Sequence, residues 1–237
     1  MADYELIRDA PVAAPALADE RVRGFLRAVY GWMCVGLGLT AVTALFVAAS
    51  PALVVLIATN RLLFWAIIIA QLGIVFVLSA RVQSLPASTA SMLFAAYSIL
   101  TGVTISFVLL VYTGESVTST FLVAAGMFGA TAAYGTTTRR SLSGLGQFLF
   151  MGVIGILLAS LVGVFWHNDG LQFMISIVGV LVFTGLAAYD AQRLKAMALA
   201  MPDGRSGAFA VVGALALYLD FINLFLFLLR FLGNRRE

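Results

Sequence analysis

An aspartate lies near the centre of the longest apolar stretch of this 237-residue chain. Asp220 is the only charged residue between Gly207 and Leu229, a stretch long enough to cross a bilayer as a helix. A carboxylate inside hydrocarbon is costly unless it is paired or protonated, and such residues usually mark a functional site. Asp220 is therefore the first candidate for a functional residue.

A second acidic residue, Asp190, ends the preceding apolar segment in the motif Tyr189-Asp190-Ala191-Gln192. Consecutive spans are usually neighbours in space, which brings Asp190 towards Asp220 with a remaining offset of about 9 Å along the helices. Contact then requires helix tilt or an irregular start to the last segment. The alternative interpretation is that Asp190 is a solvated residue at a helix end.

Two carboxyl groups in contact at a low-dielectric site cannot both ionise cheaply, so they are expected to share one proton. Such a pair is a proton sensor, and its deprotonated oxygens are hard ligands that suit a divalent cation such as Ca²⁺. Asn223, one helical turn beyond Asp220, adds an amide oxygen on the same face. The sequence thus predicts a proton-sensing and cation-binding site formed by Asp190 and Asp220, with Asn223 as a further oxygen donor.

Arg81, at the end of the second apolar segment, is the candidate cation for this site. Two interpretations stay open: Arg81 extends to the membrane interface, or it forms an ion pair with Asp190. In the second case, titration of the carboxylates would make and break the pair and bias a two-state element by pH.

The remaining polar residues carry little chemistry. His167, Glu115 and Asp169 are expected at the outer surface, and the lone Cys34 is expected to be a small buried hydrophobe. The sequence contains no phosphate loop, metal-ligand spacing or activated nucleophile. We therefore expect no enzymatic activity, no cofactor apart from calcium as a bound or transported ion, and no nucleic-acid partner.

The composition identifies an integral membrane protein, since 62% of the residues are hydrophobic and 11% are charged, against roughly 25% charged in soluble domains. Seven apolar segments each hold the length that a bilayer requires. They are approximately 26–48, 62–80, 87–112, 118–136, 145–166, 171–190 and 207–231. We predict an all-α fold of seven transmembrane helices over residues 25–232, with a flexible cytoplasmic tail at 1–24 and a basic end at 233–237.

The positive charges predict a cytoplasmic N-terminus. Ten of them fall on the tail and the even-numbered connections, against four on the opposite side. Three of those four, Arg230, Arg235 and Arg236, belong to the C-terminal end. A re-entrant last segment would make the balance thirteen to one, so the charge rule leaves the topology of this segment open, although its length favours a full span.

Small residues spaced by four predict close helix packing in three segments, because helices in lipid associate where backbones can approach. The sets are Ser98, Gly102 and Ser106; Ala125, Gly129 and Ala133; and Gly155, Ala159 and Gly163. Each set should form one packed face.

The motifs of the last two segments resemble those of the Bax inhibitor family, most closely its bacterial branch. They are Tyr189-Asp190-Ala191-Gln192 and Leu217-Tyr218-Leu219-Asp220-Phe221-Ile222-Asn223-Leu224-Phe225. Weaker support comes from Val29-Tyr30, Thr101-Gly102 and Thr137-Thr138-Arg139-Arg140, so the resemblance covers about residues 22–235.

The resemblance implies six helices around a central seventh and a pH-sensitive Ca²⁺ leak governed by an aspartate pair. By motif position, Asp190 and Asp220 match that pair, and Arg81 matches the arginine that exchanges with it. Two positions depart from the family pattern, since Ser141 and Gln71 stand where acidic residues are expected. If those acids attract ions, conductance here should be weaker.

Two functional hypotheses follow. The first is a Ca²⁺ leak channel of a bacterial cytoplasmic membrane, gated by protonation of Asp190 and Asp220, with the lipid bilayer, calcium ions and protons as partners. The second is a non-transporting regulator that binds other membrane proteins, such as a membrane protease, in which the aspartates fix helix register. Transport of protons or small solutes is compatible with the same residues.

Overall fold

The computed structural model describes residues 3–166, 168–200 and 206–236, with side chains from Leu17 onward apart from that of Val164. Within these ranges the chain is helical, and its only extended pairing is an isolated bridge between Tyr112 and Arg235. The helices are α1 Asp3–Ala48, α2 Pro51–Thr59, α3 Arg61–Ala80, α4 Ala87–Val111, α5 Gly114–Thr137, α6 Ser143–Phe165, α7 Asp169–Ala200 and α8 Ser206–Leu232.

All of these helices except the short α2 are long and apolar enough to cross a membrane, which confirms the seven predicted spans within the described ranges. Two helices extend further than predicted. The first, α1, already begins at Asp3 and so includes most of the predicted tail, whose flexibility and cytoplasmic position stay predictions. The second, α7, continues ten residues beyond the predicted end of its segment.

The last helix, α8, runs the full length of the bundle beside α4. Gly207, at its start, lies against Ala87 at the start of α4. At the other end, Thr113, just beyond α4, donates a backbone hydrogen bond to the Asn234 carbonyl at 3.1 Å. These two contacts show a complete crossing, so the re-entrant alternative for the last segment is wrong.

The core of the bundle lies along α8. About two thirds of its apolar window is buried (67%), against 39% at most for the other spans. The helix packs against α1, α4, α5 and α7, whereas α3 packs on α4 and α6 packs on α7. A complete ring of six helices around α8 therefore stays a prediction of the family resemblance.

Tyr218 connects α8 to the α1–α4 pair. Its hydroxyl lies 2.5 Å from Oγ1 of Thr40, which donates onward to the Ser98 carbonyl at 2.9 Å. The ring makes edge-to-face contacts with Phe94 and Tyr97, whose centroids are 5.6 and 5.9 Å away. Because the ring is fully buried and bonded at its tip, it fixes the rotation of α8 two residues before Asp220.

The first predicted small-residue face is confirmed. Ser98, Gly102 and Ser106 are all buried, and a Cβ on Gly102 would lie only 2.7 Å from the Thr40 carbonyl of α1. The side chains of α4 are thus short where α1 crosses it.

The second predicted face is wrong, because Ala125, Gly129 and Ala133 are exposed. The buried face of α5 instead carries Ala124 and Phe128, with the Phe128 ring 5.6 Å from that of Phe221 on α8. Aromatic packing against α8 sets the rotation of α5 and leaves the small residues outside.

The other packing expectations were only partly right. In the third set, Gly155 is exposed while Gly163 is buried against Gln172. Cys34 is exposed rather than buried, since the buried face of α1 runs through Met33 and Gly36.

The backbones of α5 and α7 come very close at Gly135. A Cβ at this position would overlap the carbonyl group of Ala188, two residues before Asp190. Only glycine permits this spacing without a shift of one helix.

We predict that Gly135→Ala destabilises the bundle by about 1–3 kcal/mol, since added volume meets rigid backbone rather than a side-chain tip. Gly129→Ala is the matched control, because its Cβ would meet nothing within 4 Å on the same helix. Thermal unfolding of both proteins in detergent checks the difference. A lowered midpoint is expected for Gly135→Ala alone, and equal midpoints would contradict the close approach.

Candidate functional site

The two predicted aspartates meet inside the bundle. Asp220 on α8 is 5% exposed, and Asp190 on α7 is half-buried. Their carboxyl groups are close enough to share a hydrogen bond. Since a carboxylate can only accept, such a bond requires one proton between the two groups.

The contact exists because α7 continues past Asp190. Asp190 lies ten residues before the end of α7, and Asp220 fourteen residues after the start of α8. The difference of four residues corresponds to about 6 Å along a helix, less than the sequence suggested. Asp190 is therefore a mid-helix residue facing a neighbouring helix, and the alternative of a solvated helix end is wrong.

Glycines allow α7 and α8 to approach each other on both sides of the pair. A Cβ on Gly213 of α8 would overlap the tip of Leu194, and one on Gly179 of α7 would overlap the ring of Phe227. The Phe227 ring also stacks on Phe183 at 5.7 Å. The carboxyl pair is thus flanked by apolar packing, which strengthens electrostatic interactions within it.

One oxygen of the pair has no partner. Oδ2 of Asp220 is buried and accepts no hydrogen bond from any described residue. Leaving a buried carboxylate oxygen unsatisfied is costly. A proton or a cation on this oxygen would remove that cost.

The candidate cation Arg81 does not contact the pair. It caps the C-terminus of α3, where its side chain is exposed and its backbone N–H donates to the Val77 carbonyl at 3.0 Å. The positive charge that acts on Asp190 comes from Arg193, one turn further along α7. In this structure Arg81 is thus exposed at the end of α3, and both its interfacial position and its exchange with the pair stay predictions.

Asn223 lies half-buried one turn beyond Asp220, and its amide nitrogen donates to the Leu219 carbonyl at 2.8 Å. Its oxygen thus remains available as the predicted extra donor. Two carboxyl groups and one amide supply at most five oxygens, fewer than the 6–8 that Ca²⁺ takes. The part of the chain that the structure describes holds no cluster of three or more acidic, histidine or cysteine ligands. The site therefore suits a transient cation better than a resident one.

Sequence reasoning missed the role of the residues that follow Asp190. The Gln192 side chain accepts from the Leu142 backbone N–H at 2.8 Å and donates to the Arg140 carbonyl at 2.9 Å. Lys195 donates to the Thr136 carbonyl at the end of α5 at 2.7 Å. The α7 motif therefore holds the connection between α5 and α6. The sequence signal for this role was the presence of polar residues two and five positions after Asp190.

The two tyrosines next to the aspartates, Tyr189 and Tyr218, contact other residues. Tyr218 bonds to Thr40, and the Tyr189 ring covers Gly146 of α6. Gln71, one of the departures from the family pattern, donates to Thr104 Oγ1 at 2.9 Å. His167 and the Pro202-Asp203-Gly204-Arg205 connection lie outside the described residues.

Comparisons with known proteins agree with the family resemblance. Residues 22–237 match the family described as Inhibitor of apoptosis-promoting Bax1. The inner membrane protein YbhL of Escherichia coli (strain K12) is 52% identical over 216 residues, which cover 90% of this chain and 92% of the relative.

Two further relatives are less similar in sequence. An uncharacterised protein of Borreliella burgdorferi is 44% identical, over 90% of this chain and 93% of its own. An uncharacterised membrane protein of Streptococcus pyogenes serotype M6 is 34% identical, over 92% and 95%. Together with the seven apolar helices, these matches show that the chain belongs to the Bax inhibitor family and is a multi-pass inner-membrane protein.

Proposed function

We propose that this protein is a Ca²⁺ leak pathway of the inner membrane, opened and closed by protonation of Asp190 and Asp220. The observation that carries the proposal is that these two carboxyl groups, on the packed helices α7 and α8, come within reach of each other inside the bundle. In this proposal the N-terminus is cytoplasmic, and the protein has neither enzymatic activity nor a resident cofactor.

The proton shared by the pair acts as a bond between α7 and α8. When the proton leaves, two negative charges face each other at a buried site. Two unit charges about 4 Å apart repel by about 4 kcal/mol at an effective dielectric constant near 20. A shift of about 5.5 kcal/mol converts a 1:99 equilibrium into 99:1, so repulsion of this size is enough to change the population of a two-state gate substantially.

The polar contacts of α7 transmit a displacement of this helix to α5 and α6. Gln192 and Lys195 hold the connection between α5 and α6 and the end of α5. A displacement of α7 at Asp190 therefore changes the position of both helices. Arg81 is the proposed counter-charge that approaches the pair in one of the two states.

Ca²⁺ would use the oxygens of the opened pair as a transient site. Asp190 and Asp220 supply the negative charge, and Asn223 supplies one neutral oxygen. Because these groups provide an incomplete coordination shell, water must supply the remaining oxygens. Weak binding of this kind favours passage over retention, since conduction needs a site that an ion can also leave.

A second candidate function rests on α3. Only 6% of its apolar window is buried, and Leu62, Phe76 and other large side chains face outward. A helix with so much free surface can bind another membrane protein, as a non-transporting regulator would. Flux of Ca²⁺ through the purified protein alone separates this candidate from the first.

The first prediction concerns the pH dependence of Ca²⁺ flux in proteoliposomes. Wild-type flux should change with pH by up to about tenfold per unit on the steep limb, the limit for one proton. Asp220→Asn and Asp190→Asn should flatten this dependence, because an amide does not titrate. Glu115→Gln is the control, since Glu115 is exposed at the start of α5, and it should behave as wild type. Wild-type flux equal to that of empty vesicles would refute the proposal.

The second prediction concerns the Ca²⁺ concentration that half-saturates the flux. It should rise as pH falls, by up to about tenfold per unit, because protons and Ca²⁺ compete for the same carboxylate oxygens. Initial rates measured over a range of Ca²⁺ concentrations at several pH values give this quantity. A half-saturating concentration that does not vary with pH would place the cation site elsewhere.

A further inference from the structure

With the predicted cytoplasmic N-terminus, three arginines at the C-terminal end lie on the side of the membrane where positive charge is disfavoured. Two of them, Arg230 and Arg235, line a cavity of about 470 Å³ between the end of α8 and the start of α7. Asp169, Gln172 and Ser176 form the α7 side of this cavity. We call it the C-terminal cavity.

The C-terminal cavity is held in place by the backbone on both sides of Arg235. The Asn234 carbonyl accepts from Thr113, and the Asn234 N–H donates to Ser116 Oγ at 2.9 Å. The Arg236 N–H donates to the Val111 carbonyl at 2.9 Å. The last residues thus lie across the connection between α4 and α5, and their hydrogen bonds fix the backbone position of Arg235.

The guanidinium groups of the cavity keep most of their donors free. Arg230 uses one N–H, donated from Nη1 to Gln172 Oε1 at 2.8 Å. In the described parts of the chain, no carboxylate forms an ion pair with Arg230 or Arg235. Among the described lining residues, two positive charges therefore face a single negative one, that of Asp169, and this balance favours anions.

Two aromatic rings border the cavity on its outer side. Phe173 and Phe231 contact each other with centroids 5.5 Å apart, and they are 52% and 44% exposed. They lie at the ends of membrane spans, so their free faces meet the boundary between acyl chains and headgroups. Free guanidinium donors beside an exposed apolar surface match the two parts of a phospholipid.

We propose that Arg230 and Arg235 bind the phosphate of an anionic phospholipid in the leaflet at this end of the bundle. The planar donor fork of arginine suits phosphate oxygens, and the excess positive charge selects a lipid with net negative charge over a zwitterionic one. The acyl chains lie along Phe173 and Phe231. The lipid compensates the basic residues that the charge rule leaves unexplained at this end.

Native mass spectrometry of the purified, delipidated protein with added phosphatidylglycerol tests this proposal. Arg235→Gln should weaken binding of the first lipid by about tenfold, the effect of losing one charge-assisted contact. Arg61→Gln is the matched control, because it removes the same charge from an exposed residue at the same end of the bundle. It should stay within about twofold of wild type.

Three outcomes would overturn the proposal: an equal loss in Arg61→Gln, phosphatidylcholine bound as tightly as phosphatidylglycerol, or displacement of the lipid by an equal concentration of inorganic phosphate. Arg235→Lys keeps the charge without the fork and should bind with intermediate affinity. This second variant decides the question if Arg235→Gln lowers the thermal unfolding midpoint. The assay measures no ion flux, so its result is independent of the proposed channel function.

Discussion

The close approach of the carboxyl groups of Asp190 and Asp220, within reach of a shared hydrogen bond, is the interaction on which this structure depends. It requires one proton where two carboxylates would otherwise face each other at a buried site. It also requires that α7 and α8 come close, which Gly213 and Gly179 allow because a side chain at either position would overlap its neighbour. The apolar packing around the pair raises the free energy of two ionised carboxylates more than that of a pair that shares one proton. Packing and chemistry are therefore linked at one point.

Polar contacts also tie the two helices of the pair to different neighbours. On one side, Tyr218 ties α8 to α1 and α4 through Thr40 and Ser98. On the other side, Gln192 and Lys195 tie α7 to α5 and α6. A change at the carboxyl pair thus acts where α7 and α8 meet, which is where a small displacement can alter the relative position of several helices.

Much of this arrangement could be predicted from the sequence, because membrane spans are encoded by length and composition. The spans and the partnership of the two aspartates follow from hydrophobicity and chain order. The buried face of α5 could not be predicted in this way, since spacing alone cannot distinguish small residues that face lipid from those that face a helix. The packing of Phe128 against α8 determines which face of α5 is buried. The role of Gln192 depends on where α7 ends. That boundary is set by tertiary packing of Leu194 and Ala198 on neighbouring helices rather than by local hydrophobicity.

The most direct test of the central claim is to detect the shared proton by infrared difference spectroscopy. A protonated carboxyl group has a C=O stretching band that a carboxylate lacks, so a titration in membranes should show a band that belongs to the pair. We expect this band in wild type and in Glu115→Gln, and its loss when Asp190 and Asp220 are both replaced by asparagine. A spectrum without such a band, or one in which the band survives the double replacement, would contradict the account.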